Sequence, residues 1–91
     1  MKQKESKLLA LAKKRDYYYD AINESWCKWT EYGNHAVEIY VDLEETVGWC
    51  LYGPEERHGF FSCLCWGFAE SLDIAEHDAK MALQQYGGLN I

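Results

Sequence analysis

Ala36-Val37-Glu38-Ile39-Tyr40-Val41-Asp42-Leu43-Glu44 is the stretch whose reading decides the fold. Val37, Ile39, Val41 and Leu43 alternate with Glu38, Tyr40, Asp42 and Glu44. A period of two marks a strand with one face on a core and the other in water. Residues 36–44 are therefore expected to form a half-buried strand, with the first set inward and the second outward. Gly33-Asn34-His35 before it and Glu45-Thr46-Val47-Gly48 after it have the composition of turns.

Beyond those turns the pattern continues. Residues 26–32 (WCKWTEY) suit an earlier strand, and Trp49-Cys50-Leu51-Tyr52 a short one that stops at Gly53-Pro54. A loop, Glu55-Glu56-Arg57-His58-Gly59, leads to a strand from Phe60 to Trp66 or Phe68. Both its faces are apolar, with Phe61, Cys63 and Cys65 on one and Phe60, Leu64 and Trp66 on the other. Such a strand lies centrally in a sheet, or turns one face to a partner. Residues 71–86 form a helix capped by Ser71, with Leu72, Ala75, Ala79, Ala82, Leu83 and Tyr86 as its core face and Gly87-Gly88 as its stop. Residues 2–22 also suit a helix, within a basic amino-terminal segment 1–22. Leu8, Leu9, Leu11 and Ala12 make its stripe, extended by Tyr18, Tyr19 and Ile22, although Tyr17-Tyr18-Tyr19 favours an end or bend.

The expected architecture is one α+β domain over residues 1–91. It has an amino-terminal helix, an antiparallel sheet of three or four strands over 26–68, and a carboxyl-terminal helix packed on one face, in the order α-β-β-β(-β)-α. With 91 residues there is little room for a second core, and fourteen aromatic side chains supply much of the first. The opening Met1-Lys2-Gln3-Lys4-Glu5-Ser6-Lys7 and the short apolar run 8–12 do not make a secretory leader, so a cytoplasmic protein is expected. Cys27, Cys50, Cys63 and Cys65 are then expected as free, packing thiols.

Charge is unevenly spread. Lys2, Lys4, Lys7, Lys13, Lys14 and Arg15 give residues 1–15 a net charge of +5, while residues 16–91 carry −11. An acidic body is repelled by phosphates and attracted to basic protein surfaces. Cys63 and Cys65, two apart on a strand, point the same way, but lack the turn spacing of a structural zinc site. No nucleophile has a base and oxyanion donors in a recognisable context, so no catalytic residue, metal or cofactor is assigned. The acid pairs Glu44-Glu45 and Glu55-Glu56 fall in turns, where solvation explains them. What remains is the outward row of Glu38, Tyr40, Asp42 and Glu44. Alternate residues on a strand lie about 6.6 Å apart, a spacing at which carboxylates can imitate a phosphate backbone. Trp49 and Tyr52 are placed beside the row, and Tyr17, Tyr18 and Trp29 are further surface aromatics suited to a protein contact.

Residues 67–83, GFAESLDIAEHDAKMAL, resemble a tail found in small phage and prophage proteins, in which a strand ends at Gly, a Ser caps the helix and alanines recur; Gly48-Trp49 fits the same pattern. The resemblance spans about residues 36–86 and, with size and acidity, extends to anti-CRISPR and other phage inhibitors of host defence. It implies a non-enzymatic viral protein that binds a host defence or CRISPR effector complex and blocks a basic nucleic-acid-binding surface. The acidic row and the aromatics beside it, and not the resemblance, put the expected partner contact at Glu38, Tyr40, Asp42, Glu44, Trp49 and Tyr52, without direct nucleic-acid or membrane binding. The helix–three strands–helix order is also similar to the double-stranded-RNA-binding domain, with Ala79-Lys80 and Ala82-Leu83 in matching places. That family has basic residues at the start of its last helix, where this chain has Ser71, Asp73 and Glu76. An RNA-binding module using the basic amino-terminal helix, or a homo-oligomer joined through its aromatics, is the alternative.

Overall fold

The computed structural model describes residues 7–54 and 61–87. Its elements run α1 (Lys7–Lys14), β1 (Tyr18–Asp20), β2 (Ser25–Tyr32), β3 (His35–Asp42), β4 (Val47–Pro54), β5 (Phe61–Ala69) and α2 (Leu72–Gly87). The α+β class, the antiparallel sheet and a helix at each end agree with the sequence reading. The sheet has five strands, not three or four, because β1 occupies chain expected to be helical. The start of the expected first helix, the loop at 55–59, Phe60 and Gly88 lie outside the described residues.

The first helix ends early for a local reason. Asp16 takes a left-handed backbone conformation (φ 66°). Its N–H donates to the Lys13 carbonyl at 3.1 Å, and the Tyr17 N–H donates to the Ala12 carbonyl at 3.0 Å. That pair of reversed bonds is a Schellman cap, which satisfies the last carbonyls and turns the chain out of the helix. The tyrosines beyond it suit an extended backbone. Ile22, expected on the helix stripe, instead lies in the β1–β2 turn and is 92% exposed.

The strands form a meander in the order β1-β2-β3-β4-β5, every neighbouring pair antiparallel. Val37 stands opposite Thr30 and Leu51, Ile39 opposite Lys28 and Trp49, and Val41 opposite Trp26 and Val47. This face meets the helices. Val37, Ile39, Val41, Val47 and Leu51 join Ala12, Tyr17, Leu72, Ala75, Ala79, Ala82 and Leu83 in one core. Tyr17, expected at the surface, is 4% exposed. α2 lies against β3, β4 and β5, and its buried alanines allow a close approach; α1 rests on β2. Ser71 caps α2 as expected, its Oγ accepting from the Ile74 N–H at 3.2 Å. Arg15 ties the end of α1 to the start of α2, with Nη2 2.8 Å from Asp73 and Nη1 3.3 Å from Glu76.

Two boundaries matter for the site. β3 stops at Asp42, so Leu43 and Glu44 belong to a turn, and Leu43 is exposed rather than inward. On β5 the register with β4 shifts between Leu51 and Tyr52, so that Leu51 faces Cys65 but Tyr52 faces Cys63. Leu64 is the extra residue of the bulge. The two cysteines therefore do not point the same way: Cys65 packs against the core and Cys63 is exposed on the other face.

Candidate protein-interaction face

Both helices cover one side of the sheet, and no element among the described residues covers the other, the bare face. The register lays that side out in rows across the strands. Asp20, Ser25 and Asp42 form the row at one end. Tyr18, Cys27, Tyr40, Gly48 and Phe68 form the next, then Trp29, Glu38, Cys50 and Trp66. Glu31, Ala36, Tyr52 and Cys63 complete the face.

Four of the six residues expected to bind a partner come together here: Glu38, Tyr40, Asp42 and Tyr52. With Asn23, Ser25 and Cys27 they line an open depression of about 400 Å³. The Tyr52 hydroxyl donates to Glu38 Oε1 at 3.4 Å, and its ring lies 5.1 Å from that of Trp29. Tyr40 lies across Gly48, where an added Cβ would run into the ring. Burial pushes the Glu38 carboxyl above its ordinary range, against the opposing effect of the Tyr52 hydrogen bond. Burial likewise raises Cys27 and Cys50, which keeps both thiols protonated and weakly nucleophilic near neutrality.

The structure separates the other two. Glu44 sits in the β3–β4 turn, and its N–H donates to Asp42 Oδ1 at 2.9 Å. Trp49 lies on the helix side beside Gly67, where an added Cβ would meet the indole at 2.9 Å, and its buried Nε1 has no hydrogen-bond partner among the described residues. Strand parity explains this: Trp49 is one residue from Gly48 and Cys50, which face the other way.

Sequence reasoning noticed the surface aromatics but did not place Trp66, Phe68 and Trp29 on one face with the acids. Trp66 and Phe68 are each 62% exposed, with rings 5.4 Å apart edge to face. Their parity with Cys50 and Gly48 was readable only once the bulge at Leu64 was known. Asp20 and Glu31 were also missed; Glu31 accepts from Trp29 Nε1 at 3.3 Å.

Cations are confined to one side of the sheet among the described residues, whereas acids lie on both, with Asp73, Glu76 and Asp78 on α2. Asp20, Glu31, Glu38 and Asp42 occupy the bare face, and no Lys or Arg holds a register position there among the described residues. The cations among the described residues lie on the helix side. Lys13 sits 4.9 Å over the Trp26 ring, and Lys28 donates to the Arg15 carbonyl at 3.2 Å. Arg15, counted in the basic helix, is engaged by Asp73 and Glu76. Lys2 and Lys4 lie outside the described residues. His35 pairs with Asn34 at 2.8 Å and His77 is exposed on α2, both away from the bare face. Among the described residues no three His, Cys, Asp or Glu side chains converge as metal ligands, and no helix is long and apolar enough to cross a membrane. The five-stranded meander also departs from the helix–three strands–helix order of the double-stranded-RNA-binding domain. No protein-family model, curated protein or solved structure matches the chain.

Proposed function

We propose that this chain is a non-enzymatic inhibitor that works by binding a protein. It lays its helix-free sheet face on a basic, nucleic-acid-binding surface of a host complex, as a phage-type anti-defence protein lays itself on a CRISPR effector. The observation that supports this reading is the distribution of charge: four carboxylates and the aromatics Tyr18, Trp29, Trp66 and Phe68 share one open face, with no cation on it among the described residues. Carboxylates steer such a surface toward a basic partner, and large flat side chains supply contact area once it arrives.

Asp20 and Asp42 are poor test positions, because each holds a turn. Glu31→Lys combined with Glu38→Gln removes both negative charges, and the glutamine keeps an acceptor for the Tyr52 hydroxyl. Against a purified basic nucleoprotein effector, the double variant is expected to lose at least about tenfold in affinity with its melting temperature not lowered. Equal binding by the folded variant removes the acidic face as the contact. Retention of duplex RNA at low salt, lost on Lys13→Glu with Lys14→Glu, would favour the nucleic-acid reading instead.

A further inference from the structure

The two edges of the sheet are built very differently. β1 is three residues long and ends in Asp20. β5 runs nine residues, Phe61–Ala69, and holds no charged residue; its neighbour β4, Val47–Pro54, has none either. Every second residue of an edge strand turns its N–H and C=O away from the sheet, and natural proteins blunt such edges with charge, Pro, shortness or a covering segment. β1 is blunted by its length and its Asp. β5 has only the bulge at Leu64, and among the described residues no backbone group pairs with its outer side. Beside that edge the bare face carries Trp66 and Phe68, its most exposed aromatics.

We infer that β5 pairs antiparallel with β5 of a second copy of this chain, joining two five-stranded sheets into one of ten. The edge itself selects the occupant, since an uncharged strand of nine residues is matched in length and character by a second β5, and charge selects the geometry. Each copy is acidic, with a formal net charge of −6, so two copies repel wherever carboxylates meet. Stacking the bare faces would bring Asp20, Glu31, Glu38 and Asp42 of both copies together. Edge pairing keeps them apart, because those acids lie on β1, β2 and β3, and β3 alone is about 10 Å from β5 at two strand spacings. Antiparallel pairing about a twofold axis normal to the sheet leaves all four helices on one side. Trp66 and Phe68 of both copies then form a single aromatic strip at the seam. The contact is self-complementary and closes on itself, since β1 is too short to accept β5 and propagate a filament.

This inference does not rest on the proposed partner, and its test uses the purified chain alone. Sedimentation equilibrium at high micromolar concentration is expected to give twice the 10.6-kDa chain mass. Hydrogen exchange is expected to show alternate β5 amides protected in concentrated protein and unprotected on dilution, a readout that needs no variant. Phe68→Lys and Trp66→Lys, at exposed positions, are each expected to weaken the dimer by about tenfold or more while far-UV circular dichroism stays unchanged. Trp29→Lys, on the same face but three strands away, leaves the dimer intact. A monomer at high concentration overturns the inference. So does a dimer that Trp29→Lys dissolves and Phe68→Lys does not, which would mean face-to-face stacking. Open-ended oligomers, or a β5 edge protected equally at all dilutions, overturn it too.

Discussion

Asp16 is a residue where the chain gives up stability for its local shape. It holds the left-handed position of the cap on α1, and its carboxylate sits at the negative end of that helix. Gly takes this conformation without the steric cost of a Cβ and without the unfavourable charge. Asp16→Gly is expected to stabilise the protein by about 0.5–1 kcal/mol in chemical denaturation, even though glycine loosens the unfolded chain. A loss of stability would show that the Asp16 side chain has a role the cap does not explain. Gly48 is the opposite case. A methyl group there runs into the Tyr40 ring, so Gly48→Ala is expected to swing the ring out and cost about 1–3 kcal/mol. Glu38 makes a statement about pH. Burial raises its carboxyl in the folded protein, so the fold binds this proton more readily than the unfolded chain does. The sign follows: Glu38 lowers stability as pH rises through the carboxylate range, and the penalty is complete once pH passes the folded value. Glu38→Gln keeps an acceptor for the Tyr52 hydroxyl and drops the charge. It should melt higher than the parent at neutral pH, and the gap should close in acid; a gap that widens in acid reverses the account.

At the scale of elements, the hairpin turns carry the weight that the sequence assigned to a row of acids. Asp42 Oδ1 accepts from both the Glu44 and Thr46 N–H groups at 2.9 Å, while Glu45 takes the left-handed position (φ 65°). Asp20 does the same for the β1–β2 turn, accepting from the Ile22 N–H at 3.0 Å, with Glu24 at φ 51°. Asp42→Ala leaves two turn amides without their acceptor and is expected to cost about 1–2 kcal/mol, most of it recovered by Asp42→Asn, in thermal melts. Equal stability of all three proteins would return Asp42 to a purely surface role. This is also where legibility ended. β3 was readable because Val37, Ile39 and Val41 alternate without interruption, and α2 because its cap and alanine spacing agree. The end of α1 was hidden because Asp16, not Gly, holds the cap. Leu43 continued the alternation by one residue past the strand, since composition does not show that Asp42 folds back on the turn. Trp49 was put beside Tyr52 by nearness in sequence, although parity separates them, and the bulge at Leu64 broke the parity of the cysteines. In each case a hydrogen bond or register shift decided the outcome, and neither leaves a periodic trace.

Over the whole molecule, the confinement of cations to the helix side makes the bare face the negative pole of the described structure. Association with a basic partner is therefore expected to slow as salt rises, while dissociation changes less, because screening acts mainly on the approach. Stopped-flow association rates across a salt series test this, and a flat series removes steering from the proposed function. The meander has a different kind of consequence, one of timing. Each strand pairs only with its neighbours in the chain, so the sheet can zip through small loops at little entropic cost. α2 has no such advantage: it must cross back over β3 and β4 to seal the core, bringing Leu72 and Leu83 onto Val41 and Leu51. A helix that docks last adds its energy after the folding barrier has been passed. Leu83→Ala should then speed unfolding sharply while leaving the refolding rate almost unchanged, and slower refolding would place α2 in the nucleus instead. On that outcome the last helix is the latch on the protein's lifetime, more than an aid to the speed with which it forms.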